Sequence, residues 1–138
     1  DRRQRQMCIR DSRKVGDEFI ADDFAHEQSI VFETEKGLVI FNSCSHGGIA
    51  NIVREVQNAF AGKKIYAVIG GFHMMKLSGM DTLAIPEEEV VETAQELKGL
   101  GVEEIYTGHC TGNIAFGILK RELGEMVHAL GTGETVIF

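Results

Sequence analysis

Three histidines each follow an apolar, strand-like run and lie among small residues. His46 lies in Cys-Ser-His-Gly-Gly, His73 ends Ile-Gly-Gly-Phe-His, and His109 lies in Thr-Gly-His-Cys-Thr-Gly. Imidazole is the commonest metal-ligating side chain, and strand ends in an open α/β sheet are where ligands and catalytic groups collect. The separations are too long for a zinc finger, so the pattern predicts a site built from three strand ends. His26 and His128 lack this context, and we expect them to lie outside it.

Two cysteines and one glutamate flank the predicted site. Cys44 and Cys110 are more typical of small buried fillers than of thiolate ligands. A nucleophilic Cys110 acting with His109 remains an alternative, although neighbours on a strand point to opposite faces. Glu27 is the best functional candidate of the acidic cluster at 22–27, because the apolar run after it would carry it to the edge of the sheet.

The turns after two of the histidines are candidate anion sites. Backbone N–H groups at a helix N-terminus favour phosphate, and glycine lets the backbone approach a ligand closely. The residues predicted to bind substrate, besides Glu27, are Gly47, Gly48, Thr111 and Gly112. The glycine-rich segments match neither a phosphate-binding loop nor a dinucleotide fingerprint, which excludes two common enzyme classes.

The elements that must position these residues alternate along the chain. Strand-like runs span 28–33, 38–41, 64–69, 102–106 and 135–138, and apolar residues recur at helical spacing over 47–60, 86–98 and 113–123. The first two runs read as a hairpin, and Ser45 is a candidate cap for the first helix. The order ββαβαβαβ predicts an α/β fold with a mostly parallel sheet covered by helices.

Composition excludes several classes of protein. The chain has 138 residues with 43% hydrophobic and 25% charged, which is typical of one globular domain or part of one. It contains no apolar run long enough to predict a membrane span. Three cysteines do not form a secreted disulfide framework, so a reducing, cytoplasmic setting is expected. A net charge of −7 argues against a nucleic-acid partner.

Residues 1–14 differ from the rest of the chain. They carry six basic and two acidic residues, whereas residues 15–138 carry 8 basic and 19 acidic, a net charge of −11. The segment Gln-Met-Cys-Ile-Arg-Asp at 6–11 resembles the in-frame translation of a transposon-type sequencing adapter. We therefore expect residues 1–14 to be a non-native arm or, alternatively, a natural disordered terminus.

Several motifs together resemble a known family. The motifs are Asp22–Ser29, Thr34–Val39, Cys44–Ile49, Gly70–His73 and Gly108–Gly112. They are similar to the C-terminal half of metallo-β-lactamase-fold hydrolases, and most closely to the dihydropterin ribofuranosyl-aminobenzene phosphate synthase-like branch, which is linked to methanopterin biosynthesis. The resemblance covers residues 22–138 and implies part of an αββα sandwich, with residues 15–138 forming the C-terminal part of the domain.

The resemblance also implies roles for the three histidines. In the family a site between two sheets holds one or two metal ions, usually zinc, with manganese or iron as alternatives. His46 matches a ligand that completes the first metal's set, and His109 matches a ligand of the second metal. His73 falls where most members have a bridging aspartate, so it could ligate a metal or bind substrate phosphate instead.

One part of the family pattern is missing. The His-x-His-x-Asp-His motif, which supplies most of the ligands, does not occur in this chain. The resemblance therefore implies that the parent protein is a metal-dependent hydrolase or transferase for a small phosphorylated or pterin-like substrate. This chain alone would be poorly active or inactive. We also expect an exposed apolar sheet face that could self-associate. The alternative is a non-catalytic half-domain that pairs with a second chain or with itself.

Overall fold

The computed structural model describes residues 12–138, except for the side chain of Arg13. The elements in chain order are β1 (Ser12–Val15), β2 (Glu18–Ala21), β3 (Ser29–Thr34), β4 (Gly37–Cys44), α1 (Ile49–Ala59), β5 (Ile65–Gly71), α2 (Glu87–Gly99), β6 (Glu104–Thr107), α3 (Asn113–Leu123) and β7 (Val127–Ala129). Single 3-10 turns follow β6 at His109–Thr111 and α3 at Gly124–Met126.

Five strands form one mixed sheet in the order β3-β4-β5-β6-β7. The β3–β4 pair is an antiparallel hairpin, and the remaining neighbours are parallel. Each parallel strand lies beside the one before it, and crossovers of this kind are almost always right-handed. The three helices between these strands therefore lie on the same face of the sheet. The predicted α/β fold with a mostly parallel sheet is confirmed.

The main core lies between that face and the helices. On the sheet side it contains Leu38, Ile40, Val68, Ile105 and Val127. Helix α1 contributes residues at helical spacing, namely Ile49, Ile52, Val53 and Val56; α2 contributes Val90, Ala94 and Leu97; and α3 contributes Ala115, Ile118, Leu119 and Leu123. This interior anchors both ends of each crossover, and so it fixes the loops that follow the strands.

The opposite face of the sheet is also apolar but only partly covered. Its centre is a small cluster of Val39, Ala67 and Ile69, on which Tyr66, Tyr106, Leu130 and Phe138 pack. Toward β3 the face carries Ile30, Phe32 and Phe41, which stay 61%, 53% and 42% exposed. We call these three residues the open face. They match the expectation that this chain leaves an apolar sheet surface uncovered.

One predicted strand was wrong, and three strands were not predicted. No strand forms at 135–138; instead Phe138 packs its ring edge-on against Tyr66 and Tyr106 without joining the sheet. The fifth strand is β7, which pairs with β6 over only three residues and therefore has too short a pattern to be recognised. The antiparallel β1–β2 hairpin was missed as well. Residues 12–14 of the predicted arm belong to β1, and residues 1–11 lie outside the described part of the chain.

The predicted cap of the first helix was also wrong. Gly48, not Ser45, precedes α1, and no side chain caps this helix. The Ser45 hydroxyl is fully buried and bonds Asn42 and the carbonyl of Gly71, so it ties the end of β4 to the end of β5.

Within residues 12–138, no helix is both long and apolar enough to cross a membrane.

Candidate metal centre

All three predicted histidines follow parallel strands of the sheet. His46 comes two residues after β4, His73 two residues after β5, and His109 two residues after β6. Because these strands are adjacent and parallel, their carboxyl ends meet at one edge. The predicted convergence at the carboxyl edge of the sheet is therefore present in the structure.

An irregularity in β4 helps to aim the first of these loops. Phe41 pairs with Ile69 and Cys44 pairs with Gly71. Between these two pairs β4 advances by three residues and β5 by only two, so β4 carries one extra residue. An extra residue of this kind bends a strand and redirects the side chains after it. The bend lies directly before the segment that carries Cys44 and His46.

The rings of His46 and His73 are in contact. Their centroids lie 3.9 Å apart, with the planes tilted by 36°. Phe24 stacks on the other side of His46 at 5.4 Å. Both imidazoles are half-buried, and the contact brings the two rings together at this edge of the sheet. The contribution of Phe24 was missed, because nothing in its local sequence indicates that it would reach the end of β4.

Glu27 holds the His46 loop in place. One carboxylate oxygen accepts the N–H of His46 at 2.9 Å, and the other accepts the N–H of Gly47 at 3.0 Å. Hydrogen bonds to a carboxylate are stronger than neutral ones. Glu27 therefore positions the backbone that carries His46, and it already occupies a donor that was predicted to bind a substrate anion.

His109 lies with the two cysteines. The Cys110 thiol donates to the sulfur of Cys44 at 3.2 Å, and the Cys110 sulfur accepts the N–H of His73 at 3.2 Å. Within residues 12–138, Cys44, His109 and Cys110 are the only group of three or more His, Cys, Asp or Glu residues whose ligand atoms all lie within 4.8 Å of one another. The sequence predicts both cysteines to be small buried fillers, and nothing in their local sequence indicates this grouping.

The environment of Cys110 opposes its use as a nucleophile. Burial, followed by the hydrogen bond with Cys44, raises the pKa of the Cys110 thiol to about 12. Catalytic cysteines need a lowered pKa, since the thiolate is the reactive form. The metal-free site therefore keeps this thiol protonated at neutral pH, which argues against the cysteine-dependent alternative.

Backbone strain concentrates at the same edge. Among the described residues, the non-glycine residues with positive φ are Phe24 at 52°, His73 at 52° and His109 at 50°. Left-handed backbone is uncommon for residues that carry a Cβ, although histidine is enriched there. Such conformations cost about 1–3 kcal/mol each and cluster at functional sites. Two predicted ligands and the ring that stacks on the third residue share this feature.

The other predicted substrate-binding residues have structural partners. The N–H of Gly48 donates to the carbonyl of Ser45. Thr111 is buried; its hydroxyl accepts the N–H of Phe72 at 2.9 Å and shares a hydrogen bond with Thr107. Gly112 has φ +76°, and a Cβ there would lie 2.7 Å from the Cβ of Met75. These contacts fix the turn after β6, and a role in substrate binding stays a prediction.

The two remaining histidines of the chain lie outside this group. His26 is exposed and sits 3.8 Å from Asp22. His128 bonds Glu104 at 2.6 Å and stacks on Tyr106, on the sheet face opposite the helices. Both positions agree with the expectation that neither histidine belongs to the site.

The donors at the edge suit a borderline metal ion. Imidazole nitrogen and cysteine sulfur are the ligands of zinc, copper and iron sites, whereas magnesium and calcium prefer oxygen. The described edge offers three imidazoles and two thiols, while the carboxylate of Glu27 is engaged by backbone N–H groups. The residues present therefore fit a zinc-type ion.

Comparisons with known proteins identify two relatives of the chain. No protein-family model matches the chain. It is 37% identical over 119 residues to the curated 7,8-dihydropterin-6-methyl-4-(β-D-ribofuranosyl)-aminobenzene-5'-phosphate synthase of Methanocaldococcus jannaschii, a match that covers 86% of this chain and 38% of that protein. A crystal structure of a metal-dependent hydrolase of the β-lactamase superfamily matches with a TM-score of 0.79 and 31% identity, over 92% of this chain and 46% of that one. The chain thus spans less than half the length of either relative, and both match the resemblance of the sequence motifs.

Proposed function

We propose that this chain provides one wall of the active site of a metal-dependent hydrolase or transferase. Its fold is that of the metallo-β-lactamase superfamily, and it resembles the dihydropterin phosphate synthase-like branch of that superfamily. The substrate is a small phosphorylated or pterin-like molecule. The observation that carries the proposal is the convergence of His46, His73 and His109 at one edge of the sheet.

The site residues have distinct tasks in this proposal. His46, His73 and His109 hold one or two divalent ions, zinc before manganese or iron, because their donors are nitrogen. Such an ion lowers the pKa of a water molecule and polarises phosphoryl or carbonyl oxygens. Glu27 keeps the loop of His46 in position, and the buried hydroxyl of Thr111 keeps the turn of His109 in position.

Two cavities, one at Glu27 and Gly47 and one at His109, differ in charge. One of about 320 Å³ is lined by Asp23, Glu27 and Glu55 among others, so its carboxylates disfavour an anion. The other, of about 290 Å³, is lined by His109, Asn42, Ser43, three glycines and the apolar residues Phe41, Ile69 and Leu130, and no acidic side chain lines it. Its volume lies at the lower limit for small-molecule sites, which is about 300 Å³. We therefore assign a phosphate-bearing substrate to the cavity at His109.

The redox setting follows from the same site. Cys44 and Cys110 are free thiols whose sulfurs are in contact. A cytoplasm keeps such thiols reduced, which leaves their sulfurs available to a metal ion. We therefore place the protein in the cytoplasm.

Metal analysis tests the ligand assignment. We expect the purified chain, loaded with Zn²⁺ and dialysed, to retain metal, and the His46→Ala, His109→Ala double variant to lose it. His128→Gln is the matched control, because His128 is bonded to Glu104 away from the edge. Equal metal content in all three proteins would refute the proposal.

The rival function is a non-catalytic half-domain that pairs with a second chain, and the partly uncovered open face favours it. The coding sequence upstream of this chain distinguishes the enzyme from the half-domain. A His-x-His-x-Asp-His motif encoded upstream in the same reading frame supports the enzyme, whereas a start codon near Lys14 supports the half-domain.

A further inference from the structure

Two cysteines from separated strands meet above the end of a third. Cys44 ends β4 and Cys110 follows β6, with β5 between them in the sheet. Gly71 at the end of β5 leaves the room for this contact, since a Cβ there would lie 2.5 Å from the sulfur of Cys110. The juxtaposition of the two sulfurs therefore depends on a glycine at that position.

The turn that carries Cys110 and His109 is held rigidly. The carbonyl of Cys110 accepts the N–H groups of both Met74 and Met75. The next residue, Thr111, is bonded through its hydroxyl to Phe72, directly after β5, and to Thr107 in β6. His109 is kept in a left-handed conformation with φ 50° while its side chain remains exposed. Ligands that are preorganised in this way lose little entropy when an ion binds.

From this geometry we propose that Cys44, Cys110 and His109 form a thiolate-rich site for Zn²⁺ or another thiophilic divalent ion. The inference deepens the proposed function and rests on it in one respect, the role of His109 as a metal ligand. It adds two sulfur ligands that neither the histidine pattern nor the family resemblance implied. Two thiolates and one imidazole bind zinc at catalytic sites that keep a fourth position for water or substrate.

The distances leave room for such an ion. Two sulfurs bound to one tetrahedral zinc ion, each at about 2.3 Å, lie about 3.8 Å apart. The sulfurs here are 3.2 Å apart, so they would separate by roughly half an ångström as the ion enters. The two thiol protons are released to solvent on binding, because only thiolates ligate metals.

Cobalt substitution tests the inference without any measurement of activity. We expect Co²⁺ added to the reduced chain, in a Cys8→Ser background that removes the third cysteine, to produce a near-ultraviolet thiolate-to-cobalt charge-transfer band. The band should titrate with the bound ion and disappear in the Cys44→Ser, Cys110→Ser variant. In the same double variant the affinity for Zn²⁺ should fall by more than about 100-fold, which exceeds the loss of affinity expected when a residue only supports a ligand.

The outcomes separate this inference from the proposed function. Bound cobalt that depends on His46 but gives no thiolate band in the unsubstituted chain overturns the inference and leaves the proposed function intact. A thiolate band that survives His46→Ala and His73→Ala, with no second equivalent of metal bound, supports the inference and counts against a histidine site. A Cys44–Cys110 disulfide that persists under a thiol reductant with Zn²⁺ present also overturns the inference.

Discussion

At the scale of single residues, the site combines two features that rarely occur by accident. His73 and His109 both adopt left-handed backbone conformations, and both contact other site residues. The glycine-rich context of the histidines identified them from the sequence. Their partners could not be identified in this way, because the contacts of Phe24 with His46 and of Cys44 with Cys110 join residues that are 22 and 66 positions apart.

The left-handed conformation of His73 should be measurable as strain. Glycine adopts this conformation freely, whereas for a residue with a Cβ the conformation costs about 1–2 kcal/mol in the folded state. We therefore expect His73→Gly to be about 1 kcal/mol more stable than His73→Ala in urea unfolding of the metal-free chain. Gln95, exposed in the middle of α2, is the matched control, since glycine in a helix is about 1 kcal/mol less stable than alanine. The same order at both positions would contradict the assigned strain.

At the scale of elements, the alternation of strands and helices was predictable because its hydrophobic periods are strong. Strands β3 to β6 and all three helices lie where periodicity placed them. The register shift in β4 was not predictable, because a period of two cannot show where an extra residue is accommodated. Nor was β7, whose three residues form a strand only because β6 offers them a partner.

The link between the segment before β3 and the start of α1 depends on Glu27. Removing both of its carboxylate contacts in Glu27→Ala should lower the free energy of unfolding by about 1–2 kcal/mol and weaken Zn²⁺ binding about 10–100-fold. Glu27→Gln retains one acceptor and should lie between this variant and the parent chain. Glu55→Ala, which removes an exposed carboxylate from the same cavity, is the control. If Glu27→Ala and Glu55→Ala had the same metal affinity, Glu27 would not position His46.

At the scale of the whole molecule, the helices cover one face of the sheet and leave the open face uncovered. Phe32 and Phe41 meet edge-on there with ring centroids 6.2 Å apart, and β3 is an edge strand of the sheet. Unpaired edges and exposed apolar patches favour association between chains. We propose that a second copy of the chain occupies this face when the 138-residue chain is alone in solution.

Sedimentation velocity over a range of concentrations tests this proposal. The chain should shift to a higher mass as its concentration rises, and the Phe32→Thr, Phe41→Thr double variant should remain a monomer. Each buried aromatic ring contributes about 1.5–3 kcal/mol, so the loss should weaken association at least about tenfold per ring. Leu77→Ser removes an even more exposed apolar side chain from a loop elsewhere and should change nothing. A parent chain that stays monomeric at all concentrations would refute the proposal.

The order of strands in the sheet determines the order in which the residues of the site assemble during folding. Each strand from β4 onward pairs with the strand that precedes it in the sequence, so the sheet can grow by addition at one edge in the order of synthesis. The first partners of the site, Glu27 and His46, are present once the hairpin and α1 have formed. Cys110 and His109 arrive only after β6 has docked. An ion that needs donors from β4 and β6 therefore binds after most of the chain has folded, and its binding selectively stabilises the completed sheet.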